Sequence, residues 1–353
     1  MNHTLDRILQ NSLNSRRLAP IVAQLVEQAQ QDWPRSQAFG LTSANLAPAL
    51  ADRLTLFRAV YPLVAARCAA TLRLPIPVTE LLWNFWLPLA SQLITWRKAQ
   101  APPLIQGILG GQGTGKTTLT AMLTLILEHQ GYHTVSLSID DLYKTYADRQ
   151  QLQQQDPRLD RRGPPGTHDI ALGQQVLTDL KQGLPVHLPR FDKSAHQGAG
   201  DRTTPDFIAS ADIVLFEGWL VGVRPILPAA FAQPLPPINT AADRTFARDM
   251  NERLRDYEPL WDLLDRLIVL YVPDYRLSLQ WRTQAEHDMI AQGKPGMTDA
   301  EIVEFVTYFW RSLHPELFIT PLTQQPHVDL VVEITPDHLP GKIYQPPCLS
   351  SGS

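Results

Sequence analysis

The chain has 353 residues, 44% hydrophobic and 19% charged, enough to bury a large core as one large domain or as a domain with an extension. A net charge of −4 and a pI near 6.2, with no dense Lys/Arg tract, argue against a nucleic-acid partner. Its two cysteines, Cys68 and Cys348, stand far apart without any C-x-x-C, so neither a disulfide framework nor a zinc site is indicated and a reducing, cytoplasmic setting is the expectation.

The first twenty residues hold no uninterrupted apolar core, so no secretory signal is expected. Leu18–Gln31 and Leu46–Leu72 carry apolar residues at helical spacing. Pro75 and Pro77 then break the pattern before a further helix over Leu81–Ala99. Within that last stretch Asn84, Pro88, Ser91 and Gln92 interrupt Leu81–Trp96, which therefore fails as a membrane span. Residues 1–100 read as a helical N-terminal extension, and residues 101–353 as the catalytic domain.

Leu104–Leu109 reads as a strand and Thr118–His129 as a buried helix. Between them Gly110-Gly111-Gln112-Gly113-Thr114-Gly115-Lys116-Thr117 fits the phosphate-cradling pattern G-x-x-x-x-G-K-[ST], in the strand-to-helix context where that pattern has physical meaning. Its glycines let backbone N–H groups wrap a polyphosphate, and the helix N-terminus through Thr118 adds positive potential. Lys116 reaches the β and γ phosphates, and Thr117 offers a hydroxyl to Mg²⁺. The chain is expected to use ATP or GTP.

Further strands are expected at Thr134–Ile139, Ile213–Phe216, Leu267–Val272 and Val328–Ile334, giving an α/β fold with a five-stranded parallel sheet covered by helices. Two of these strands end in acids. Asp140 and Asp141 follow the second, where open parallel sheets bind ligands; Asp140 is the candidate general base and Asp141 reads as a turn or cap residue. Glu217 follows the third and can hold Mg²⁺ directly or through water, while the adjacent Trp219 reads as packing. Between these strands lies a long polar, Pro/Gly-rich stretch, 143–206, broken by one helix-like segment at Ile170–Gln182; such lengths usually bind something. Gln150–Gln155 reads as a solvated helix.

At this point a resemblance becomes specific. GGQGTGKTT, SIDDLY, RRGPPGTHD, LPRFDKSAHQGAGDR, VLFEGW and QWRTQAEHDMIAQGKPGMTD, in this order, resemble segments of the plant and cyanobacterial D-glycerate 3-kinase family, related to uridine kinase, phosphoribulokinase and bacterial pantothenate kinase. The match spans roughly Leu104 to Ile334. It implies an ATP- and Mg²⁺-dependent transferase that phosphorylates D-glycerate to 3-phosphoglycerate in photorespiratory carbon salvage. It also implies the base role for Asp140, the Mg²⁺ role for Glu217 and an acceptor-site role for His168 and Asp169. Asp169 stands equally well as the cap of the helix at Ile170.

A hydroxy acid needs fixed positive charge for its carboxylate, and Arg190, Lys193 and Arg202 supply it in the Gly/Pro-rich stretch. Tyr275–Gly296, carrying Arg276, Arg282 and Lys294, resembles a lid that brings an arginine onto the migrating phosphoryl group; Arg282 is the first choice, with a solvated helix face as the alternative. His287, His314 and His338 have no metal-like spacing and read as surface or packing residues. A kinase of another small alcohol and a nucleotide-binding protein without phosphotransfer are the competing readings. Absence of an N-K-x-D segment disfavours a GTPase, and absence of an LSGGQ-like segment disfavours a transporter ATPase.

Overall fold

The computed structural model describes residues 3–71, 78–293 and 295–347, so the breaks at Pro75 and Pro77, Lys294 of the expected lid, and Cys348 lie outside the described residues. The chain opens with helices α1 (His3–Asn14), α2 (Ala19–Gln31), α3 (Trp33–Ala38), α4 (Leu46–Thr71), α5 (Val78–Leu81) and α6 (Leu87–Lys98). A π-helical turn, Leu82–Trp86, joins α5 to α6. Its position has a local cause: Pro88 brings no N–H to the ladder, and the preceding Leu87 N–H reaches back five residues to the Leu82 carbonyl.

The core then runs β1 (Leu104–Gly110), α7 (Lys116–His129), β2 (Thr134–Ser138), α8 (Tyr146–Gln155), α9 (Ile170–Lys181), β3 (Val186–Asp192), β4 (Asp201–Ile208) and β5 (Ile213–Gly218). Next come α10 (Ala241–Arg253), α11 (Glu258–Trp261), β6 (Arg266–Tyr271), α12 (Leu277–Ala291) and α13 (Asp299–Ser312). The chain continues through α14 (Pro315–Phe318), β7 (Leu330–Ile334) and β8 (Pro340–Tyr344). None of the described helices is long and apolar enough to cross a membrane.

The main sheet has the order β2-β5-β1-β6-β7-β8. The five strands expected from sequence are all parallel, but the sheet has six strands: β8 adds an antiparallel edge on β7. Its five residues include Pro340 and Gly341, a composition that weakens any strand signal and suits only an edge. A second difference lies inside 143–206, where β3 and β4 pair as a separate two-stranded ribbon. Pro189 and Pro205 sit within these strands, and prolines demote a run read by propensity alone. α8 has no buried residues, in keeping with the solvated-helix reading of its glutamines.

Alternation along the parallel strands sorts the core into two layers. Leu104, Ile108, Ile213, Leu215, Ile268 and Leu270 face a cluster shared with α7 and the N-terminal helices. Ile105, Leu109, Val214, Phe216, Leu267 and Val269 face the opposite cluster, with Leu177, Leu180, Leu260 and Trp261. Burial on both faces is what a parallel sheet requires, and it explains the continuous apolar runs. The N-terminal helices thus brace α7, the helix that follows the phosphate loop; Cys68 Sγ lies 3.9 Å from Met122 Sδ at that seam. From β1 the chain runs to β2 on its β5 side, and from β5 it later crosses to β6 on the other side of β1. This opens a crevice at its C-terminal end.

Candidate active site

The phosphate loop closes the top of β1. Gly113 and Gly115 take φ of 79° and 83°, the left-handed region open to glycine, so the loop curls back before α7 begins at Lys116. Gly110 is needed for a different reason: a Cβ there would sit 2.6 Å from Thr114 Oγ1. Thr114 is buried and donates to the Gly111 carbonyl at 2.9 Å, which sets the loop's curl. Lys116 Nζ donates to the same carbonyl at 2.9 Å, folded back over the loop. Burial holds its pKa below the ordinary lysine value, with Glu217 and Asp140 opposing that effect. Thr118 follows in the first helical turn, where N–H groups lack intrahelical partners.

Two acids arrive from neighbouring strands. Glu217 is the penultimate residue of β5, in register with Ser138 of β2 and Ile108 of β1, and is 7% exposed. Thr117 Oγ1 donates to Glu217 Oε1 across a long 3.5 Å. Burial pushes the Glu217 carboxyl up, and the nearby Lys116 partly offsets it. A hydroxyl and a carboxylate at this spacing are hard oxygen donors, and two protein oxygens leave room for phosphate and water oxygens; the pair fits Mg²⁺.

After β2 the chain turns through a short 3-10 segment, Ile139–Leu142, capped at both ends of its first turn. Ser138 Oγ accepts the Asp140 N–H, and Asp141 Oδ2 accepts the Ser138 N–H. Asp141 is therefore a cap residue, and the turn leaves Asp140 facing the crevice. Asp140 Oδ2 accepts from Lys193 Nζ at 2.5 Å, and the Asp140 carboxylate also accepts from the Tyr143 hydroxyl. Burial works against the charged form, but Lys193 and Tyr143 prevail and hold the carboxyl below its ordinary value. Tyr143 is itself buried, its hydroxyl pushed well above the usual tyrosine range by burial and by Asp140, so it stays a donor.

These groups share one cavity of about 840 Å³, lined by Lys116, Thr117, Asp140, Lys193, Glu217 and Arg282 among others. Arg282, on α12, binds the Glu286 carboxylate and lies 5.1 Å from the Phe305 ring. Glu286 is 3% exposed and also accepts the Met297 N–H at 3.0 Å, which ties the segment after α12 down onto the helix.

Four residues expected at the acceptor stand behind the cavity wall instead. Arg190 donates to Asp206, Asp141 and the Ser136 carbonyl, fastening the β3–β4 ribbon to β2. Arg202 donates to Asp169 Oδ2 and the Tyr143 carbonyl. Asp169 caps α9 by accepting the Leu172 N–H at 3.1 Å. His168 is 2% exposed and stacks on Tyr143 with ring centroids 4.6 Å apart. The Tyr257 hydroxyl accepts the Gly166 N–H and lies 2.7 Å from His168 Nδ1, while His168 Nε2 is buried without a hydrogen-bond partner among the described residues. Burial lowers the His168 pKa to about 3, keeping the ring neutral.

Other cavity residues escaped the sequence reading. Arg149, on α8, and Arg162 line the wall beside Lys193. Trp281 packs on Gly113, where a Cβ would come within 2.7 Å of its ring, and its indole N–H donates to the Pro336 carbonyl. His338, read as surface or packing, donates from Nδ1 to the Gly113 carbonyl at 2.7 Å and packs on Trp281. Neither lies near the loop in sequence, so only the tertiary fold brings them there.

Comparison with known proteins matches residues 105–295, more than half the chain, to the family described as Phosphoribulokinase / Uridine kinase. The chain belongs to that family. It is 30% identical over 298 residues to the chloroplastic D-glycerate 3-kinase of Arabidopsis thaliana, covering 76% of this chain but only 62% of the plant protein's length. It is 32% identical to a Schizosaccharomyces pombe protein described as the uncharacterized kinase mug58, over 60% of this chain and 80% of that one. Among solved structures, a D-glycerate 3-kinase from Cryptococcus neoformans var. grubii superposes with a TM-score of 0.63 at 30% identity. It covers 72% of this chain and 95% of that one.

Proposed function

We propose that the chain transfers the γ-phosphoryl group of ATP to the hydroxyl of D-glycerate, giving 3-phosphoglycerate and ADP, in photorespiratory carbon salvage. The observation that carries this reading is the convergence of an ionised Asp140 with Lys116 and the Thr117–Glu217 pair in one cavity. The names of the plant and fungal relatives support the acceptor. In the step, the acceptor oxygen bonds to the γ-phosphorus as the bridging P–O bond to ADP breaks, and Asp140 takes the hydroxyl proton. Lys116 swings from the Gly111 carbonyl to the phosphates, and Arg282 meets charge on the transferring group. Mg²⁺, held by Thr117 and Glu217, would neutralise phosphate charge.

The same proposal takes residues 1–100 as an extension of a kinase domain at 101–353, with 143–206 forming the acceptor wall and 275–296 the lid. A cytoplasmic setting, with a small-molecule partner and no nucleic acid, goes with it. A nucleoside or pantothenate kinase is the second reading, favoured by the uridine kinases of the matched family. An acceptor panel with ATP and Mg²⁺, read by ADP release, tests the choice: D-glycerate is expected to lead, and uridine or pantothenate outcompeting it would overturn the reading.

A further inference from the structure

Arg149 and Arg162 differ from the other arginines around the cavity in having no carboxylate partner. Arg158, Arg161, Arg190, Arg202, Arg253 and Arg282 are all in ion pairs, whereas among the described residues Arg149 and Arg162 meet only backbone carbonyls. Arg149 donates to the carbonyls of Lys144, Ala199 and Gly200. Arg162 Nη1 donates to those of Gly198 and Ala199 at 2.6 and 3.0 Å. Both guanidinium groups lie over the Phe191 ring, at 5.4 and 5.7 Å from its centroid. Two like charges are thus held side by side, sharing one carbonyl and one aromatic face, and neither forms an ion pair among the described residues. Burial and the positive charge of Arg162 lower the pKa of Arg149, and the field of Asp201 offsets this only in part.

The geometry of the free donors is specific. All three nitrogens of Arg149 already serve the 198–200 loop and Lys144, so that side chain is a rigid support. Arg162 engages only Nη1, leaving Nε and Nη2, the edge that forms two parallel bonds to a carboxylate. Tyr143 links this pair to the base, its hydroxyl on Asp140 and its ring edge-on to Phe191 at 5.1 Å. An acceptor held here meets Asp140 with its hydroxyl and Arg162 with its negative group, both on the wall of one cavity.

We propose that Arg162, supported by Arg149, binds the carboxylate of the acceptor and makes this a site for short hydroxy carboxylic acids, discriminating against neutral alcohols. This rests on the kinase reading above and adds its specificity determinant. Charge-assisted bidentate bonds are the strongest polar contacts a small acid can make, and the two guanidinium groups repel one another less once an anion lies against them.

The test compares D-glycerate, glycolate and lactate with glyceramide and glycerol as acceptors for the wild type, Arg162→Gln, Arg162→Lys and Arg149→Gln, with thermal unfolding to confirm folding. The wild type is expected to prefer D-glycerate in kcat/KM by at least about 10²-fold, from the worth of charged hydrogen bonds. Arg162→Gln is expected to raise the KM for D-glycerate by about tenfold or more and to close most of the gap to glyceramide. Its KM for ATP should stay within about twofold. Arg162→Lys should fall between wild type and Arg162→Gln. If the wild type phosphorylates D-glycerate and glyceramide equally well, or the gap survives in both glutamine variants, the carboxylate site is overturned while the kinase reading stands. A wild type that rejects D-glycerate yet accepts other short hydroxy acids, with the same Arg162 dependence, would overturn the glycerate reading and uphold the site.

Discussion

Lys193 reaches from the end of the β3–β4 ribbon to place its ammonium on Asp140, the carboxylate at the end of β2, 53 residues earlier in the chain. Without that contact and the Tyr143 hydroxyl, burial would drive the Asp140 carboxyl up. Lys193→Met and Tyr143→Phe should therefore each raise it. A base must be deprotonated to act, so the acid limb of the kcat/KM profile should move to higher pH in both variants. Asp140→Asn should lose on the order of 10²–10⁴-fold in kcat with ATP affinity nearly unchanged. Acid limbs coincident with wild type in both neighbour variants would remove Asp140 as the titrating base.

Gly113 offers a test of the phosphate loop that leaves every charged group in place. An alanine there has to adopt φ near 79°, at a cost of about 1–2 kcal/mol, and would push its Cβ to 2.7 Å from the Trp281 ring. Gly113→Ala should weaken ATP binding by about tenfold, the fold-equivalent of that strain, as read by a nucleotide titration. Adding Trp281→Ala removes the clash but not the φ strain, so the double variant should recover part of the affinity. No recovery would assign the whole effect to backbone conformation.

Asp156 ties the C-terminal end of α8 to α10. It accepts from Arg158 Nε at 2.8 Å and from Arg253 Nη2 at 2.7 Å, and Arg253 in turn fills the space beside Gly166, next to the buried His168. Hydrogen bonds from Arg158, against the cost of burial, hold the Asp156 carboxyl below its ordinary value. A lowered carboxyl stabilises the fold above its unfolded pKa of about 3.9 and loses that contribution as pH falls through the folded value. Asp156→Asn should cost about 1–3 kcal/mol in urea unfolding at pH 7, with the difference from wild type shrinking below about pH 4. A difference that holds constant with pH would point to packing rather than charge.

How far the sequence reaches depends on whether a residue's role is local. The loop from Gly110 to Thr117 is legible because one contiguous run does one job, and Asp140 and Glu217 because apolar strands deliver them at predictable ends. Arg190 and Arg202 were plausible acceptor residues by type and neighbourhood, yet Asp206, Asp141 and Asp169 neutralise them, pairings of residues 16 to 49 apart. Arg149 and Arg162 were hidden for the converse reason: what marks them is the lack of an acidic partner, which no spacing rule reports. The β3–β4 ribbon was obscured by its own prolines, Pro189 and Pro205, and β8 by Pro340 and Gly341.

Arg282 is held in the cavity by Glu286, a buried carboxylate that also anchors the Met297 N–H, so one acid positions both the arginine and the segment that follows its helix. Its Nε is buried without a hydrogen-bond partner among the described residues, so it meets a phosphoryl oxygen only once closure shifts the side chain. If that contact strengthens as charge shifts to the transferring group, Arg282→Ala should lower kcat by about 10²-fold or more while changing ATP affinity little. Glu286→Gln should lower kcat less, since it loosens the arginine without removing it. Hydrogen exchange gives an independent reading: amides of 277–293 should be slowed by ATP and D-glycerate together more than by either alone, as a closing lid requires. Unchanged exchange with a normal kcat in Arg282→Ala would leave α12 as a static wall and Arg282 as a residue that serves only to neutralise Glu286.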